Sequence, residues 1–408
     1  MNNEQLAMME GWKTDKIENI FFLGRGRVIN DEEIKDHPGN YPVYSSQTSN
    51  NGEFGKVDFY EFEGECITWT TDGANAGKVF YRSGKFNCTN VCGTLKPKNP
   101  QETNVKFFAY LIDRHAFRHV AVVGNNKLMN NVMGKIKITF PADVNQQTAI
   151  AAILSKVDEA IAAVQASIAA AERLKKSLMQ NLLTGRMKPD GTLRKEDEFY
   201  VDEKFGRVPL GWEVKKVKDF GEVITGKTPP TEKPDVFSDK EHGIMFVTPG
   251  DVDTAKYIEQ TERYVSEKGI KFSYTLPQNA VCEICIGSTI GKIGITTKEC
   301  CTNQQITSVV MNEENDAEYF YYAMLARKDH FKSVAGINAT PQINKSEYSK
   351  YRVLCPKSKD DQIAIAQELS AIDTEINKKQ NKIAVLERLK KSLMQNLLTG
   401  KVRVNNKI

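Results

Sequence analysis

The stretch ERLKKSLMQNLLTG occurs twice in this chain of 408 residues, at Glu172–Gly185 and, letter for letter, at Glu387–Gly400. The copies lie 215 residues apart, which is just over half of the chain. An identity of 14 consecutive residues does not arise by chance, so the chain contains a duplication. The period of a solenoid is only about 20–50 residues, so the chain is not a repeat array.

Shorter matches extend the duplication through both halves at similar offsets. They are GANAGKV at 73–79 and GSTIGKI at 287–293, CTN at 88–90 and 301–303, and Gly-Trp at 11–12 and 211–212. The last pair has an offset of 200, which implies extra residues early in the second half. The two halves are therefore related along their whole length but are not identical.

Each half has a front part and a back part of different character. The front parts, near residues 11–145 and 207–357, mix short β-like runs with Gly, Asn and Pro turns, which predicts loop-rich α+β domains. The back parts, residues 146–183 and 361–398, lack Gly and Pro and predict long helices. Apolar residues step by three and four along both helices. They are Leu154, Val157, Ile161, Val164 and Ile168 in the first and Leu369, Ile372, Ile376, Ile383, Leu386, Leu389 and Leu393 in the second.

A helix of this length, roughly 57 Å, cannot bury an apolar stripe by itself. We therefore expect the two helices to pack against each other. The predicted fold class is α+β, with two similar globular domains separated by two long helices that form an antiparallel coiled coil, and with pseudo-two-fold symmetry. Residues 187–206 carry 4 basic and 6 acidic residues and predict an exposed linker.

Composition restricts the cellular setting. The chain is 40% hydrophobic and 26% charged, and no apolar run approaches the roughly 18 residues of a membrane span. Residues 1–16 lack the basic lead and apolar run of a signal peptide. Eight cysteines without an export signal are typical of reduced thiols, so we expect a cytoplasmic protein.

Charge is distributed unevenly along the first half. Residues 1–77 carry 6 basic and 14 acidic side chains, whereas residues 78–137 carry 11 basic and 2 acidic ones. The switch is consistent with a basic face that binds a phosphate backbone. It is equally consistent with two runs that interleave in space and neutralise each other.

The whole chain resembles the specificity (S) subunits of type I restriction–modification enzymes. The most specific similarity is the helix end LKKSLMQNLLTG, followed by a charged linker and VPLGW at 208–212. The other similar segments are YPVYSSQT at 41–48, GKTP at 226–229, FVTPGDV at 246–252 and TNQQI at 302–306. The first long helix departs from the family pattern by beginning with Gln146-Gln147, without the acidic residue often found before the glutamine.

The resemblance implies a domain organisation and a function. The implied segments are target-recognition domain 1 (1–145), spacer helix 1 (146–186), a linker (187–206), target-recognition domain 2 (207–357), spacer helix 2 (358–401) and a C-terminal tail (402–408). Each domain would read one half of a bipartite asymmetric target in double-stranded DNA, without catalysis by this chain. Two methylation subunits would dock on the helices and methylate adenine N6 with S-adenosylmethionine. A motor-nuclease subunit that uses ATP and Mg would join for cleavage, which makes the complex a phage-defence system.

Candidate contacts follow from the needs of duplex binding, which uses Lys and Arg for phosphates and Arg, Asn, Gln or Thr for base edges. The DNA-binding candidates are Lys78, Arg82, Lys85, Arg114, Arg118 and Lys127 in the first domain, and Lys227, Thr228, Lys292, Asn303, Gln304, Gln305, Arg327, Lys332 and Lys345 in the second. The partner-binding candidates are Leu174, Leu178, Leu182, Leu389, Leu393 and Leu397.

Three motifs have competing interpretations. Gly73-x3-Gly77-Lys78 is one residue short of a phosphate loop, and we interpret it as a turn between strands whose lysine could reach a phosphate. A purely structural turn is an equally good interpretation. Cys282 and Cys285 form a CxxC that could bind zinc, but a strand would direct them to opposite faces. HAFRH at 115–119 lacks the glutamate of the zinc protease motif. With Arg114 and Arg118 alongside, its histidines could form a DNA-facing surface, but we favour a solvated helix face.

Two other functions remain open at this stage. One globular half could be an enzyme, although the chain has no Asn/Asp-Pro-Pro-Tyr/Phe methylation motif. The chain could also be a coiled-coil adaptor whose globular ends bind proteins. Methyl transfer by the chain alone would support the first alternative, and the absence of sequence-selective DNA binding by the complex would support the second. The sequence does not define the bases that are read.

Overall fold

The computed structural model describes residues 10–233, 235–252, 255–336 and 341–404. Residues 1–9 of the first predicted domain and residues 405–408 of the predicted tail lie outside these ranges. The chain forms two compact units. Unit 1 is drawn from the residues up to Gln165 and from Asn381 onward, and unit 2 is Ala166–Gln380. Each unit thus contains one globular part and one half of each long helix.

The globular part of unit 1 contains two four-stranded sheets. The first is antiparallel, and the second has one parallel pair. In spatial order, the strands are Phe21–Arg25, Cys92–Pro97, Cys66–Thr70 and Val79–Arg82 in the first sheet, and Glu53–Val57, Pro38–Tyr44, Lys85–Cys88 and Phe62–Glu63 in the second. Strand Trp12–Lys16 pairs with Lys137–Pro141, and Ala121–Val123 pairs with Asn125–Lys127.

Unit 2 repeats this arrangement with five strands in each main sheet. The strands are Gly221–Thr225, Ile306–Met311, Val281–Ile284, Ile293–Thr296 and Tyr257–Ile258 in the first, and Phe237–Ser238, Arg263–Val265, Ile244–Val247, Cys300–Thr302 and Thr275–Leu276 in the second. Trp212–Lys216 pairs with Arg352–Pro356. A hairpin, Phe199–Asp202 with Gly206–Pro209, spans the end of the predicted linker and the start of the second predicted domain.

Short helices lie between the strands along the chain. The short helices of unit 1 are Ile17–Ile20, Asp31–Asp36, Val105–Ala116 and Asn130–Lys135, and those of unit 2 are Glu267–Ile270, Ala317–Ala326, Lys328–Val334 and Lys345–Lys350. Single 3-10 turns are Ser49–Gly52, Phe117–His119, Glu196–Glu198 and Val217–Asp219. Long helix 1 is Val144–Leu182 and long helix 2 is Lys359–Leu397. Both lie within two residues of the bounds predicted from the lack of Gly and Pro, which are 146–183 and 361–398. No helix in the described ranges is long and apolar enough to cross a membrane.

Backbone hydrogen bonds align the two units residue by residue. The amide of Cys92 donates to the carbonyl of Thr89, and the amide of Ile306 donates to the carbonyl of Asn303. Thr89 thus corresponds to Asn303, at an offset of 214 residues. The CTN match in the sequence, which aligned Thr89 with Thr302, is therefore one residue out of structural register.

The long helices pair antiparallel within each unit, which confirms the predicted α+β fold with an antiparallel coiled coil. In unit 1, Leu154 shares a core with Leu397. Further along long helix 1, Asp158 pairs with Lys390, whose Nζ lies 2.6 Å from the carboxylate. Residue numbers rise along one helix as they fall along the other. Leu389, predicted to lie in the apolar stripe, is instead 46% exposed.

A part-buried cluster, here called the clamp, joins each globular part to the paired helices. Tyr110 donates to the Asp158 carboxylate at 2.5 Å, and Lys390 lies over the Tyr110 ring at 5.4 Å. Unit 2 repeats the clamp, with Tyr322 donating to Asp373 at 2.6 Å and Lys175 pairing with Asp373 at 2.5 Å. Burial and the neighbouring carboxylate raise the pKa of both tyrosines. Lys390 and Lys175 occupy the same position in the two copies of the identical stretch, so the identity at this position is explained by packing.

Two buried glutamines fix the start of each long helix. Oε1 of Gln147 accepts from the amide of Asn104 at 2.9 Å, and its Nε2 donates to the carbonyl of Pro141 at 3.0 Å. Gln362 makes the equivalent two bonds, also at 2.9 and 3.0 Å. Asn104 is the N-cap of helix Val105–Ala116, so the glutamine ties that helix to the coiled coil.

We expect Gln147→Ala to lower the free energy of unfolding of unit 1 by about 2–4 kcal/mol, because two buried backbone groups lose their partners. Hydrogen exchange of the amides in helix Val105–Ala116 would measure the change. Asn145→Ala, at an exposed position of the same helix turn, is the matched control. Equal protection in the two variants would contradict this role for Gln147.

The cores of the two units differ at one equivalent position. Trp69 pairs with Val79 across its sheet, and Glu283 pairs with Ile293 at the corresponding place in unit 2. Trp69 donates its indole N–H to the carbonyl of Leu128 at 2.8 Å. Glu283 is 1% exposed and accepts from the hydroxyl of Tyr348 at 3.1 Å. Burial raises the pKa of Glu283 to about 8.

Candidate nucleic-acid interface

A glycine turn forms the base of the candidate site in each unit. In unit 1 it connects strand Cys66–Thr70 to strand Val79–Arg82, with φ of +93° at Gly73 and +86° at Gly77. In unit 2, Gly287 and Gly291 have φ of +98° and +79°. These left-handed conformations favour glycine. The interpretation as a turn between strands is thus confirmed, since the two flanking strands pair directly.

A second segment lies against each turn. In unit 1 the amide of Gly73 donates to the carbonyl of Asn126 at 3.0 Å, and Asp72 forms a backbone bridge with Lys127. In unit 2 Ile286 forms the corresponding bridge with Gln342. Asp72 and Lys127 therefore occupy the same backbone positions as Ile286 and Gln342.

A third segment passes so close to its neighbour that only glycine fits. A Cβ atom at Gly26 would lie 2.1 Å from the carbonyl oxygen of Cys88, and one at Gly226 would lie 2.2 Å from that of Asn303. The residues before these glycines, Arg25 and Thr225, are consequently equivalent. In each unit, three segments that are distant in sequence meet on one surface.

The surface of unit 1 carries a charged cluster. Arg25 lies 3.3 Å from the carboxylate of Asp72, and Lys127 lies 3.8 Å from its other oxygen. Nε of Arg25 donates to the carbonyl of Asn90. The hydroxyl of Thr71 donates to Asp72 at 2.6 Å. These bonds hold a guanidinium and a carboxylate side by side.

The surface of unit 2 carries amides and hydroxyls instead. The hydroxyl of Thr228 donates to Gln304 at 2.6 Å, and Nδ2 of Asn303 donates to Gln305 at 3.0 Å. Lys227, exposed, donates its amide to the carbonyl of Thr302 at 3.0 Å. The structure thus brings together the predicted residues Lys227, Thr228, Asn303, Gln304 and Gln305. Lys292 lies in the glycine turn, Lys332 lies beside Gly291, and Lys345 follows the segment of Gln342.

Two predicted DNA contacts of unit 1 lie elsewhere. Arg82 is only 2% exposed, its guanidinium lies 3.5 Å from the centre of the Tyr44 ring, and its Nε donates to Thr68 at 3.1 Å. A buried guanidinium cannot reach a phosphate, so we correct this prediction. Lys85 lies over the Tyr60 ring at 4.3 Å, on the second sheet.

Helix Val105–Ala116 ends beside the glycine turn of unit 1. Its Asp113 carboxylate lies 3.1 Å from Lys78, so this lysine already has a partner within the protein. Arg114 is half-buried, and burial together with the charge of Arg118 lowers its pKa. Burial and the same two arginines lower the pKa of His115. Arg118 and His119 are exposed.

The charge switch in the sequence corresponds to pairing in space. Lys85 lies 3.9 Å from Glu63, and Lys127 pairs with Asp72, so cations of the basic run meet anions of the acidic run. The two runs therefore interleave in part.

Arg327, a predicted DNA contact of unit 2, has a structural role, because its Nε donates to the Tyr351 hydroxyl at 3.3 Å and its guanidinium stacks on Phe205 at 4.9 Å.

The predicted partner-binding leucines separate into three pairs. Leu182 and Leu397 are 1% and 4% exposed and belong to the cores, so they cannot present a docking surface. Leu178 and Leu393 are half-buried against the same cores. Leu174 and Leu389 are 53% and 46% exposed and remain the candidates for a partner.

The CxxC motif is structural. Cys282 and Cys285 belong to different hydrophobic clusters, as expected for opposite faces of a strand, and burial raises the pKa of both thiols. Within the described ranges, no group of three or more His, Cys, Asp or Glu side chains could hold a metal ion.

Arg25, Asp72 and Gln342 lie in the candidate site but were not predicted. A signal for the first was present in the sequence. The Gly-Trp pairs have an offset of 200, and the same offset relates Gly26 to Gly226. Applied to Gly26, the offset of 200 aligns the preceding residue, Arg25, with Thr225, which immediately precedes the predicted GKTP segment.

Comparisons with known proteins agree with this architecture. The family model for the type I restriction modification DNA specificity domain matches residues 9–173 and 209–388. S.MpnORF507P of Mycoplasma pneumoniae, a type I specificity subunit by its name, is 28% identical over 86% of this chain and 86% of its own length. The specificity subunit of the M. pneumoniae type I restriction enzyme MpnII is 40% identical over 35% of this chain and 44% of its own length.

A solved structure is similar over the whole chain. The S subunit of a type I restriction–modification system from M. genitalium gives a TM-score of 0.64 at 17% identity, covering 95% of this chain and 96% of that one. At this identity the likeness shows the fold. The family model, however, matches most of the sequence, once in each half. The chain therefore belongs to the family of specificity subunits of type I restriction–modification systems.

Proposed function

We propose that this chain is the non-catalytic subunit that reads a bipartite, asymmetric DNA target, with one unit for each half-site. The observation that carries the proposal is the equivalence of the two candidate surfaces. Both are built on the same glycine turn and the same close glycine contact, but their side chains differ in charge and hydrogen bonding. One scaffold with two sets of polar side chains suits two different half-sites.

The identical stretch supports two copies of one partner. Six of its positions are exposed in both copies: Glu172, Arg173, Leu174, Lys176, Ser177 and Gln180, with Glu387, Arg388, Leu389, Lys391, Ser392 and Gln395. Packing does not require identity at exposed positions, so a shared binding partner is the better explanation. We propose that each copy docks one methylation subunit.

The remaining chemistry is assigned to the partners. The methylation subunits would bind S-adenosylmethionine and transfer its methyl group to adenine N6. A motor-nuclease subunit would use ATP and Mg for cleavage. The assembled complex would work in the cytoplasm, where the host DNA lies.

Exchange of residues 11–145 for the corresponding domain of another specificity subunit tests the proposal. Sequencing of methylated adenines in cells that carry the complex should show one half-site changed and the other unchanged, because the surface of unit 2 is not altered. The reciprocal exchange of residues 207–357 is the matched control and should change only the other half-site. A simultaneous change of both half-sites would mean that the units read DNA jointly.

A further inference from the structure

The two candidate surfaces differ at three equivalent backbone positions. Unit 1 has Arg25, Asp72 and Lys127 where unit 2 has Thr225, Ile286 and Gln342. The equivalence rests on the glycines after Arg25 and Thr225 and on the two backbone bridges, Asp72 with Lys127 and Ile286 with Gln342. Unit 1 therefore has a charged set and unit 2 has a neutral set at the same place.

The scaffold does not need the charges of unit 1. Unit 2 forms the same turn, the same bridge and the same close glycine contact with three neutral side chains. The side chains of Arg25, Asp72 and Lys127 are 38%, 26% and 53% exposed. Ion pairs at such exposure contribute little to folding. The charged set is thus available for a ligand.

The arrangement of the set complements a G·C base pair. In the major groove, guanine presents the acceptors N7 and O6, and its partner cytosine presents the N4 donor next to them. Arg25 and Asp72 offer a guanidinium donor beside a carboxylate acceptor, 3.3 Å apart. Bonds to the Asn90 carbonyl and from the Thr71 hydroxyl hold the two side chains in this orientation. Lys127, 53% exposed, lies on the other side of the carboxylate and can face a phosphate.

We propose that Arg25 and Asp72 are specificity-determining residues of unit 1 and that together they read a G·C base pair. Arg25 would donate to guanine, and Asp72 would accept from N4 of cytosine. The proposal rests on the proposed function, since it assigns base contacts to one of the two half-sites. The neutral set of unit 2 lacks the carboxylate acceptor, so its half-site carries no such requirement at the equivalent base pair.

The test uses the complex of the full chain with its methylation subunits. Duplexes carry the wild-type target with each base pair of the unit 1 half-site changed in turn, and binding and methylation are measured for each. We expect Asp72→Ala and Arg25→Ala to reduce discrimination at one G·C position by roughly 10- to 100-fold. Preference at the other positions and in the unit 2 half-site should not change.

Two further variants keep the outcome interpretable. Asp72→Asn preserves the shape of the side chain but replaces one acceptor oxygen with a donor, so it should relax the same position even if Asp72→Ala disturbs the turn. Glu63→Ala removes an exposed carboxylate that pairs with Lys85 outside the cluster, and it should leave all preferences unchanged. A uniform loss of affinity for every duplex, with a shallower salt dependence, would overturn the proposal in favour of phosphate contacts. Unchanged discrimination would overturn it as well, whereas a wild-type complex without a two-part target would instead refute the proposed function.

Discussion

A chain in which Leu174 and Leu389 are both replaced by glutamate is expected to lose both methylation subunits and all target methylation. These leucines occupy the same place in the two copies of the identical stretch and are about half exposed, so they can contact a partner without serving the core. A buried charge without a partner is costly at an interface, and a leucine-to-glutamate change places one there. Each single variant should retain one subunit, because the other copy is intact.

Native mass spectrometry of the purified complexes would count the subunits. We expect two methylation subunits with the wild-type chain, one with each single variant and none with the double variant. Ala162→Glu with Asn377→Glu is the matched control, since it adds the same charges at exposed positions of the long helices outside the stretch. Such surface changes should alter stability by no more than about 0.5 kcal/mol. Two bound subunits in the double variant would refute docking at these leucines.

The free energy of unfolding of unit 2 should fall as the pH rises from about 5 to about 8, because of Glu283. In the folded chain burial raises the pKa of this carboxyl from 4.5 to about 8. Between these values the folded state keeps a proton that the unfolded state has released. The favourable contribution is therefore complete below the unfolded pKa and is lost as the pH rises through the folded one, at about 1.4 kcal/mol per pH unit.

Glu283→Gln removes the titrating group while keeping a similar shape. Relative to wild type, we expect this variant to gain about 2–3 kcal/mol of stability between pH 6 and pH 8. Hydrogen exchange of the amides in strand Val281–Ile284, corrected for intrinsic rates, would measure the difference. Strand Cys66–Thr70 is an internal control, since Trp69 occupies the equivalent position there. A constant difference between variant and wild type across this range would contradict the assignment.

The duplication and the helices could be predicted because they depend on local patterns. An exact repeat of 14 residues and a three-four spacing of apolar residues are visible without any knowledge of contacts. The clamps were not predictable in the same way. Asp158 and Lys390 are far apart in sequence, and only antiparallel pairing in this register brings them together. Spacing along one helix gives no information about register against another.

The candidate site could be predicted only in part, for a similar reason. The polar segments GKTP and TNQQI were recognised by residue type, and their side chains Thr228 and Gln304 do meet. Arg82 was included because arginine is usually solvated, but its aliphatic and planar parts pack against Tyr44 and remove it from the surface. An acidic residue such as Asp72 is not expected to face DNA. Its pairing with Arg25 and Lys127 depends on contacts between segments that are distant in sequence.

Unit 1 is built from two segments that flank unit 2 in the sequence, and this has a consequence for synthesis. Ile150 and Leu154 complete their core with Leu397 and Leu398, which are translated only after the whole of unit 2. While a ribosome is still making unit 2, these apolar residues have no partner from the second long helix. Unit 2 is continuous in sequence, so all residues of its core are translated before the second segment of unit 1. The globular part of unit 1 thus leaves the ribosome before unit 2 but is completed after it, and a chain that terminates before Leu397 leaves an open apolar surface there.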